Sequence, residues 1–365
     1  MWGRLLAGES AVREVTHPLL DQWKGRWLAA MPADAGHAGL SLVDRQPHRD
    51  AVRRLLTKTS LDPGKLAACV GASKGDLSLS SDPAEGPGRF APSSVLDDLR
   101  GQFLLGPTAT CMVGACASGL LAVMRAADWV DRGDCLAALA GAADYSLNPA
   151  VLASYRRAGV VSRWAGEPRG AVRPFCEDRS GFVIGEGGGF FAVESPSEAR
   201  ARGVRPLAVL SGWDTRTDPA DLMALDPSGR AIAVTVRNAL RHAGLDPAAV
   251  DAVCCHGTAT RRNDVAESRG LRAVFGDRLD AVPCFSLKSA IGHTLGASGA
   301  VELACCVAAV QSGALPVQRN AGPIDPACPI GPVPDAPRVT DVGHVLKLSF
   351  GFGGHVAAVV VSRAE

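Results

Sequence analysis

Cys116 lies between a short apolar run, Thr110 to Gly114, and a segment of helical character that opens with Ala117, Ser118 and Gly119. A thiol in that place points at unpaired backbone N–H groups and the positive end of a helix macrodipole, which favours the thiolate and predicts a lowered pKa. It is a candidate nucleophile, although a lone cysteine at a crowded turn also fits a small buried hydrophobe. Two histidines accompany it. His256 ends the apolar run Val250 to Cys255, so its imidazole emerges at the carboxyl edge of a strand, where α/β proteins gather ligands. Thr258 and Thr260 follow at alternating positions with hydroxyls for a polar ligand, while Asp264 and Glu267 are expected to cap and charge the next helix. A second strand end carries Lys288 and His293 on either side of a turn that Gly292 permits. A thiol at a helix N-terminus with two imidazoles at glycine-flanked strand ends is a constellation for nucleophilic catalysis.

Such residues need a scaffold that brings distant turns together. Leu66 to Gly71, Thr110 to Gly114 and Leu136 to Gly141 are short apolar runs beside longer periodic segments, the pattern of an α/β fold with buried strands. Helices are expected over 117–131, 150–158, 229–243, 264–275 and 297–311. Leu346 to Ser362 reads as strand, glycine bend, strand. The proline-rich stretch from Pro316 to Pro337 excludes a regular helix or central strand and is expected as an ordered surface loop. An internal echo links the two parts of the chain: Ala117-Ser118-Gly119 matches Ala297-Ser298-Gly299, and Ile184 to Glu194 matches Phe350 to Val360. Two halves on one plan are expected, residues 1–200 with the cysteine and 201–365 with the histidines, joined by a surface connection near Pro196 to Pro206.

Composition narrows the possible partners. The 365 residues are 47% hydrophobic and 21% charged, and 38 Lys+Arg against 37 Asp+Glu leave a net charge of +1. No basic field exists to hold a nucleic acid or an anionic membrane. No run approaches about 18 uninterrupted apolar residues, and Met1 to Glu9 lacks the apolar core of a signal peptide, so a cytoplasmic location is expected. Eleven cysteines without a C-x-x-C, two pairs of them adjacent in sequence, suit neither a disulfide framework nor a zinc site. No metal is expected.

Five blocks in order carry a family resemblance: Ala115 to Gly119; Arg173-Pro174-Phe175 with Asp178 to Gly187; His256-Gly257-Thr258; Lys288 to His293; and Ser349 to Gly354. On these the chain resembles the β-ketoacyl-acyl carrier protein synthases, condensing enzymes of fatty acid and polyketide synthesis with a Cys-His-His triad. The resemblance implies a thiolase-like fold, two similar α/β halves packed as a layered αβαβα structure. It implies that Cys116 takes an acyl group from the phosphopantetheine of an acyl carrier protein and that His256 and His293 receive the malonyl thioester for decarboxylative condensation. Backbone N–H groups of Cys116 and Phe352 would form an oxyanion hole. Lys288 would support the site with Glu302 as its partner, Phe352 would gate the acyl pocket, and Thr258 and Thr260 would hold the pantetheine arm. Asp264 and Glu267 would lend structural support. No cofactor beyond the carrier-borne substrates is implied.

The expected partners are an acyl carrier protein, met by Arg261-Arg262 and Arg156-Arg157, and a second copy of the chain, paired through the strand before Cys116. Four features depart from the family pattern. The strand that usually precedes the Trp2 to Gly8 helix is lacking, Ala259 replaces a glycine, His355 follows Gly354, and the stretch from Gly71 to Gly106 is short. Acyl chain length and pathway therefore stay open. An acyltransferase that does not decarboxylate, or a partner subunit of the chain-length-factor type, are the alternatives; the joint presence of Cys116, His256 and His293 argues against the latter.

Overall fold

A computed structural model describes residues 1–14, 27–29, 47–75, 91–319, 322–339 and 341–364. In chain order its elements are α1 (Trp2–Leu6), β1 (Val12–Glu14), β2 (Trp27–Ala29), α2 (Pro47–Thr59), β3 (Ala67–Gly71), α3 (Ser94–Phe103), β4 (Ala109–Met112), α4 (Ser118–Asp131), β5 (Ala137–Asp144), α5 (Pro149–Arg157), β6 (Gly187–Glu194) and α6 (Pro196–Ala201). Then follow β7 (Val209–Thr217), α7 (Arg230–His242), β8 (Ala252–Cys254), α8 (Arg261–Phe275), β9 (Cys284–Phe285), α9 (Lys288–Ile291), α10 (Ser298–Ser312), β10 (Ala314–Leu315), β11 (Arg338–Val339), β12 (His344–Gly351) and β13 (His355–Ser362).

Two mixed sheets organise these elements. The first runs β4-β3-β5-β6, parallel except for β6; the second runs β7-β13-β12-β8-β9, with β12, β8 and β9 parallel to one another and β13 antiparallel to both its neighbours. Strands β3, β5 and β8 are buried along their whole length, which explains their unbroken apolar runs. Helices α4 and α10 lie side by side between the sheets, α2 and α3 cover the outer face of the first sheet, and α7 and α8 the second. The result is five layers, αβαβα. The stretch Leu295–Ser312 is apolar and long enough to cross a membrane, but 72% of it is buried inside the protein, as befits a central-layer helix.

Small residues let the two central helices touch. A Cβ at Gly119 would lie 3.0 Å from the carbonyl oxygen of Gly296, and one at Gly299 only 2.6 Å from the Leu120 nitrogen. Each helix is entered through a matching 3₁₀ turn, Ala115–Ala117 and Leu295–Ala297. The first residue of each turn is non-glycine yet left-handed, with φ of +48° at Ala115 and +44° at Leu295. Such strain persists only where surrounding packing fixes it. Strands β6 and β13, both fed by glycine-rich bends, each run antiparallel beside the strand before them, β5 and β12.

The connection near Pro196 is partly helical, because the Ser195 hydroxyl accepts the Glu198 N–H at 3.3 Å and Pro196 has a φ preset for the first turn. The proline-rich loop contributes to the interior as well as the surface: Gln318 is buried and its Oε1 accepts the Ser286 N–H at 2.7 Å. Parts of the Gly71 to Gly106 stretch lie outside the described residues.

Candidate active site

The end of β3, the start of α4 and the end of β12 fix the cysteine. Ser118 Oγ accepts the Gly114 N–H at 2.9 Å and lies 2.9 Å from the Ala72 carbonyl, fastening the turn to β3. Gly351 lets β12 press against it from the other side: a Cβ there would sit 2.4 Å from the Gly114 carbonyl oxygen and 3.2 Å from the Cys116 nitrogen. Cys116 is 5% exposed and shares an apolar cluster with Leu147, Phe182, Ile184 and Leu295. Burial pushes its thiol up to about 12, against the pull of Lys288. Burial thus acts against the lowering expected from a helix N-terminus. The dipole contributes at most about 2 kcal/mol in favourable geometry, and removing a thiolate from water outweighs it. Cys116 rests protonated, so forming the thiolate calls for a proton acceptor.

Two neutral imidazoles stand nearby. The rings of His256 and His293 lie 5.5 Å apart, nearly perpendicular, and Phe182 from the Cys116 cluster meets His293 edge-on at 4.7 Å. Burial, reinforced by Lys288, holds both histidines well below the ordinary imidazole pKa. His256 follows β8; its backbone N–H and that of Gly257 donate to the two carboxylate oxygens of Glu267 at 2.6 and 2.7 Å. Its Nδ1 is 3.5 Å from Lys288 Nζ. An ammonium can only donate, so Nδ1 accepts and the ring proton sits on Nε2, an assignment made from the network. His293 is held by its N–H on the Val183 carbonyl at 2.7 Å, and its Nδ1 is 2.7 Å from Ser298 Oγ. When that hydroxyl donates, the second ring also carries its proton on Nε2.

Lys288 is fully buried, with Nζ donating to Glu302 Oε1 at 2.6 Å and to the His256 carbonyl at 2.5 Å. Structure therefore brings Cys116, His256, His293, Lys288 and Glu302 into one neighbourhood. Thr258 and Thr260 bond each other at 2.8 Å on the loop between β8 and α8, and Ala259 between them takes the left-handed φ of +58°. Phe352 is half-buried in the turn from β12 to β13, where the Gly353 N–H bonds the Leu222 carbonyl at 2.7 Å. Phe350, which sequence reasoning passed over, meets His256 edge-on at 5.2 Å.

Asp264 and Glu267 do not cap α8. Its cap is Thr260, without a side-chain bond, and both carboxylates turn inward: Glu267 as above, Asp264 to the Phe175 N–H at 2.8 Å. The first turns of α8 face buried loops rather than solvent, so the carboxylates satisfy those loops' donors. Burial raises Asp264 to about 6 and Glu267 to about 7 in spite of these bonds. Arg261 and Arg262 are mostly exposed and face Asp325 at 3.8 Å and Asp221 at 3.4 Å.

A second polar cluster, absent from the sequence reading, borders the site. Lys74 Nζ donates to Asp144 Oδ1 at 3.0 Å, and Asp144 Oδ2 accepts the Gly296 N–H at 3.0 Å. Asp144 thus ties the end of β5 to the turn that follows His293. A lysine next to Ser73 just past a buried strand was the available signal.

Known proteins match this chain throughout. The β-ketoacyl synthase N-terminal domain family matches residues 103–199 and the C-terminal domain family residues 207–321. The tetracenomycin polyketide synthase ketoacyl synthase alpha subunit of Streptomyces glaucescens is 30% identical over all of this chain and 93% of its own length. The 3-oxoacyl-[acyl-carrier-protein] synthase 2 of Mycobacterium bovis is 36% identical over 69% of this chain and 60% of that protein. The chain spans about three fifths of the length of several curated relatives it matches. Among solved structures, the ishigamide ketosynthase/chain length factor superposes with a TM-score of 0.85 at 27% identity, covering all of this chain and 94% of the other. With this fold, these matched halves and this cysteine and histidine geometry, the chain belongs to the β-ketoacyl synthase family.

Proposed function

We propose that the protein is a decarboxylating condensing enzyme, a β-ketoacyl-acyl carrier protein synthase of fatty acid or polyketide synthesis. The observation that carries this reading is a buried thiol at a helix start beside two neutral imidazoles held 5.5 Å apart. Cys116 sulfur attacks the carbonyl of a carrier-bound acyl thioester; its proton passes to a neutral imidazole and on to the departing phosphopantetheine thiol. The malonyl thioester follows. Its carbonyl oxygen takes the two Nε2–H donors, the bond to the carboxylate breaks, carbon dioxide leaves, and the electron pair stays on C2 as an enolate. C2 attacks the acyl carbon and the Cys116 sulfur leaves as thiolate, to be reprotonated. Backbone N–H groups of Cys116 and Phe352 serve the oxyanion of each acyl step, Phe352 gates the acyl pocket, and Thr258 and Thr260 bind the pantetheine arm. Glu302, Asp264 and Glu267 hold the frame.

His256→Ala and His293→Ala are each expected to lower carbon dioxide release from malonyl-acyl carrier protein by roughly 10²- to 10³-fold. Acylation of Cys116, followed by intact mass, falls less, since one imidazole remains to take its proton. Equal losses in both half-reactions would reject this division of roles, and acyl transfer with no carbon dioxide release would favour the acyltransferase alternative.

The partners proposed are an acyl carrier protein, which the name of the Mycobacterium bovis relative includes, and a second copy of the chain. Residues 1–200 and 201–365 are taken as two renderings of one plan, on the reciprocal fit of Gly119 and Gly299. Dimerisation through β4 is supported by its half-buried residues, by the absence of a partner strand on its outer edge among the described residues, and by Val113 beyond it, 54% exposed. Sedimentation is expected to give twice the chain mass. A monomer that pairs only with an unlike subunit would replace this by a heterodimer.

A further inference from the structure

Strand β12 carries a lysine where its neighbours are apolar. Leu346, Leu348 and Phe350 point into one core cluster, as the alternation of a strand requires, and Lys347 points the other way, toward α10. It is fully buried, and its Nζ pairs with Glu302 Oε2 at 2.7 Å and bonds the Leu348 carbonyl. Glu302 is therefore shared: Lys288 on Oε1, Lys347 on Oε2. Two ammonium groups on one carboxylate leave a positive charge uncompensated inside the protein. An isolated buried charge is expensive, and a hydrophobic residue in the same strand position would avoid the expense. The location suggests what the lysine does, because Lys288 Nζ also holds the His256 carbonyl and faces its Nδ1.

We propose that Lys347 is a positioning residue for the imidazole pair: by anchoring the far oxygen of Glu302 it fixes Lys288 behind His256, and its surplus positive charge keeps both rings neutral with Nε2–H turned to the substrate. This inference rests on the condensing reading of the site only for its kinetic readout. A protonated His256 would set an Nδ1–H against the Lys288 ammonium and break that arrangement, so neutrality and geometry are one requirement. The charged and titratable groups around the rings are the Cys116 thiol and a few others, and Lys347 also faces Cys254 and Cys306. Lys288 of α9, Lys347 of β12 and Glu302 of α10 lie behind His256, with His293 across from it and Glu267 of α8 on its backbone. Lys74, paired with Asp144, acts on His293. Lys347 is among the causes lowering both histidines, after burial and Lys288. Burial pulls down the pKa of Lys347 itself, but Glu302 outweighs it and the ammonium persists.

The test compares the wild type with Lys347→Met and Lys347→Gln. Both remove the charge; glutamine retains a hydrogen-bond donor for Glu302, so it remains informative if methionine fails to fold. In the resting protein, NMR titration of selectively labelled histidine is expected to show His256 protonating about one pH unit higher in either variant, as loss of a nearby cation allows. The acid limb of malonyl decarboxylation should move up by the same amount, and its plateau should fall roughly tenfold. A folded variant whose His256 titrates as in the wild type overturns the proposal whatever the reaction. A shifted titration in a protein that never decarboxylates malonyl-acyl carrier protein upholds the role of Lys347 and removes the condensing reading instead.

Discussion

Replacing Cys116 with alanine is expected to lower acyl transfer and condensation by on the order of 10⁴-fold or more, because no other group in the site can form the acyl-enzyme. The same variant makes the high thiol pKa visible. With the thiol at about 12, roughly one molecule in 10⁵ carries a free thiolate at pH 7. A soluble alkylating agent should therefore reach the half-buried Cys135, which lies outside the proposed dimer strand, first. Its slow reaction at Cys116, identified by its absence in Cys116→Ala, should rise about tenfold per pH unit. An acyl-carrier thioester should show the opposite selectivity, loading Cys116 alone, because it brings its own binding energy and uses the imidazoles as proton acceptors. Fast alkylation of Cys116 at neutral pH would mean that the helix end prevails over burial.

Glu302→Ala should be the most damaging single change to stability. It strips the shared carboxylate from two fully buried lysines, Lys288 and Lys347, and leaves like charges facing each other. Breaking one partner out of a buried ionic group typically costs about 3–5 kcal/mol, a large share of a domain's total stability of about 5–15 kcal/mol. Urea unfolding measures the loss. Adding Lys347→Met to Glu302→Ala removes one of the orphaned charges, so the double variant should be more stable than the single one. If Glu302→Ala unfolds within about 1 kcal/mol of the wild type, water or a rearranged side chain has taken over the lysines, and the buried triad is not holding the centre of the molecule together.

Local chemistry made part of the molecule legible from sequence, and tertiary contact determined the rest. Helix α4 was readable because an apolar run follows a glycine turn, and α10 because it repeats the same words. Helix α2 was not, since among Arg49, Asp50, Arg53, Arg54 and Lys58 only a narrow stripe through Val52 and Leu56 is apolar. Strand β7 was hidden by Gly212, which reads as a breaker but is needed where β7 meets α7: a Cβ there would lie 2.3 Å from the Ala239 carbonyl oxygen. At the site, Cys116, His256, His293, Lys288 and Glu302 sit in motifs short enough to be seen. Lys347, Lys74, Asp144 and Phe350 were passed over because their meaning lies in partners far along the chain. The opposing effect on the thiol was hidden for a related reason: a helix start is a local property, whereas burial is contributed by Phe182, Leu147 and Leu295 from elsewhere.

The paired 3₁₀ turns offer two equivalent seats at the starts of the central helices, yet only one bears a side chain. Cys116 occupies the first, and its counterpart in the second is Gly296. A Cβ at Gly296 would lie 2.6 Å from the Ser73 nitrogen and 3.0 Å from Asp144 Oδ2, and the backbone N–H there already donates to that carboxylate. The second seat is plugged from within by the first half of the chain. On the condensing reading proposed above, the scaffold would carry a single acyl load, one group per polypeptide, and the proposed dimer two rather than four.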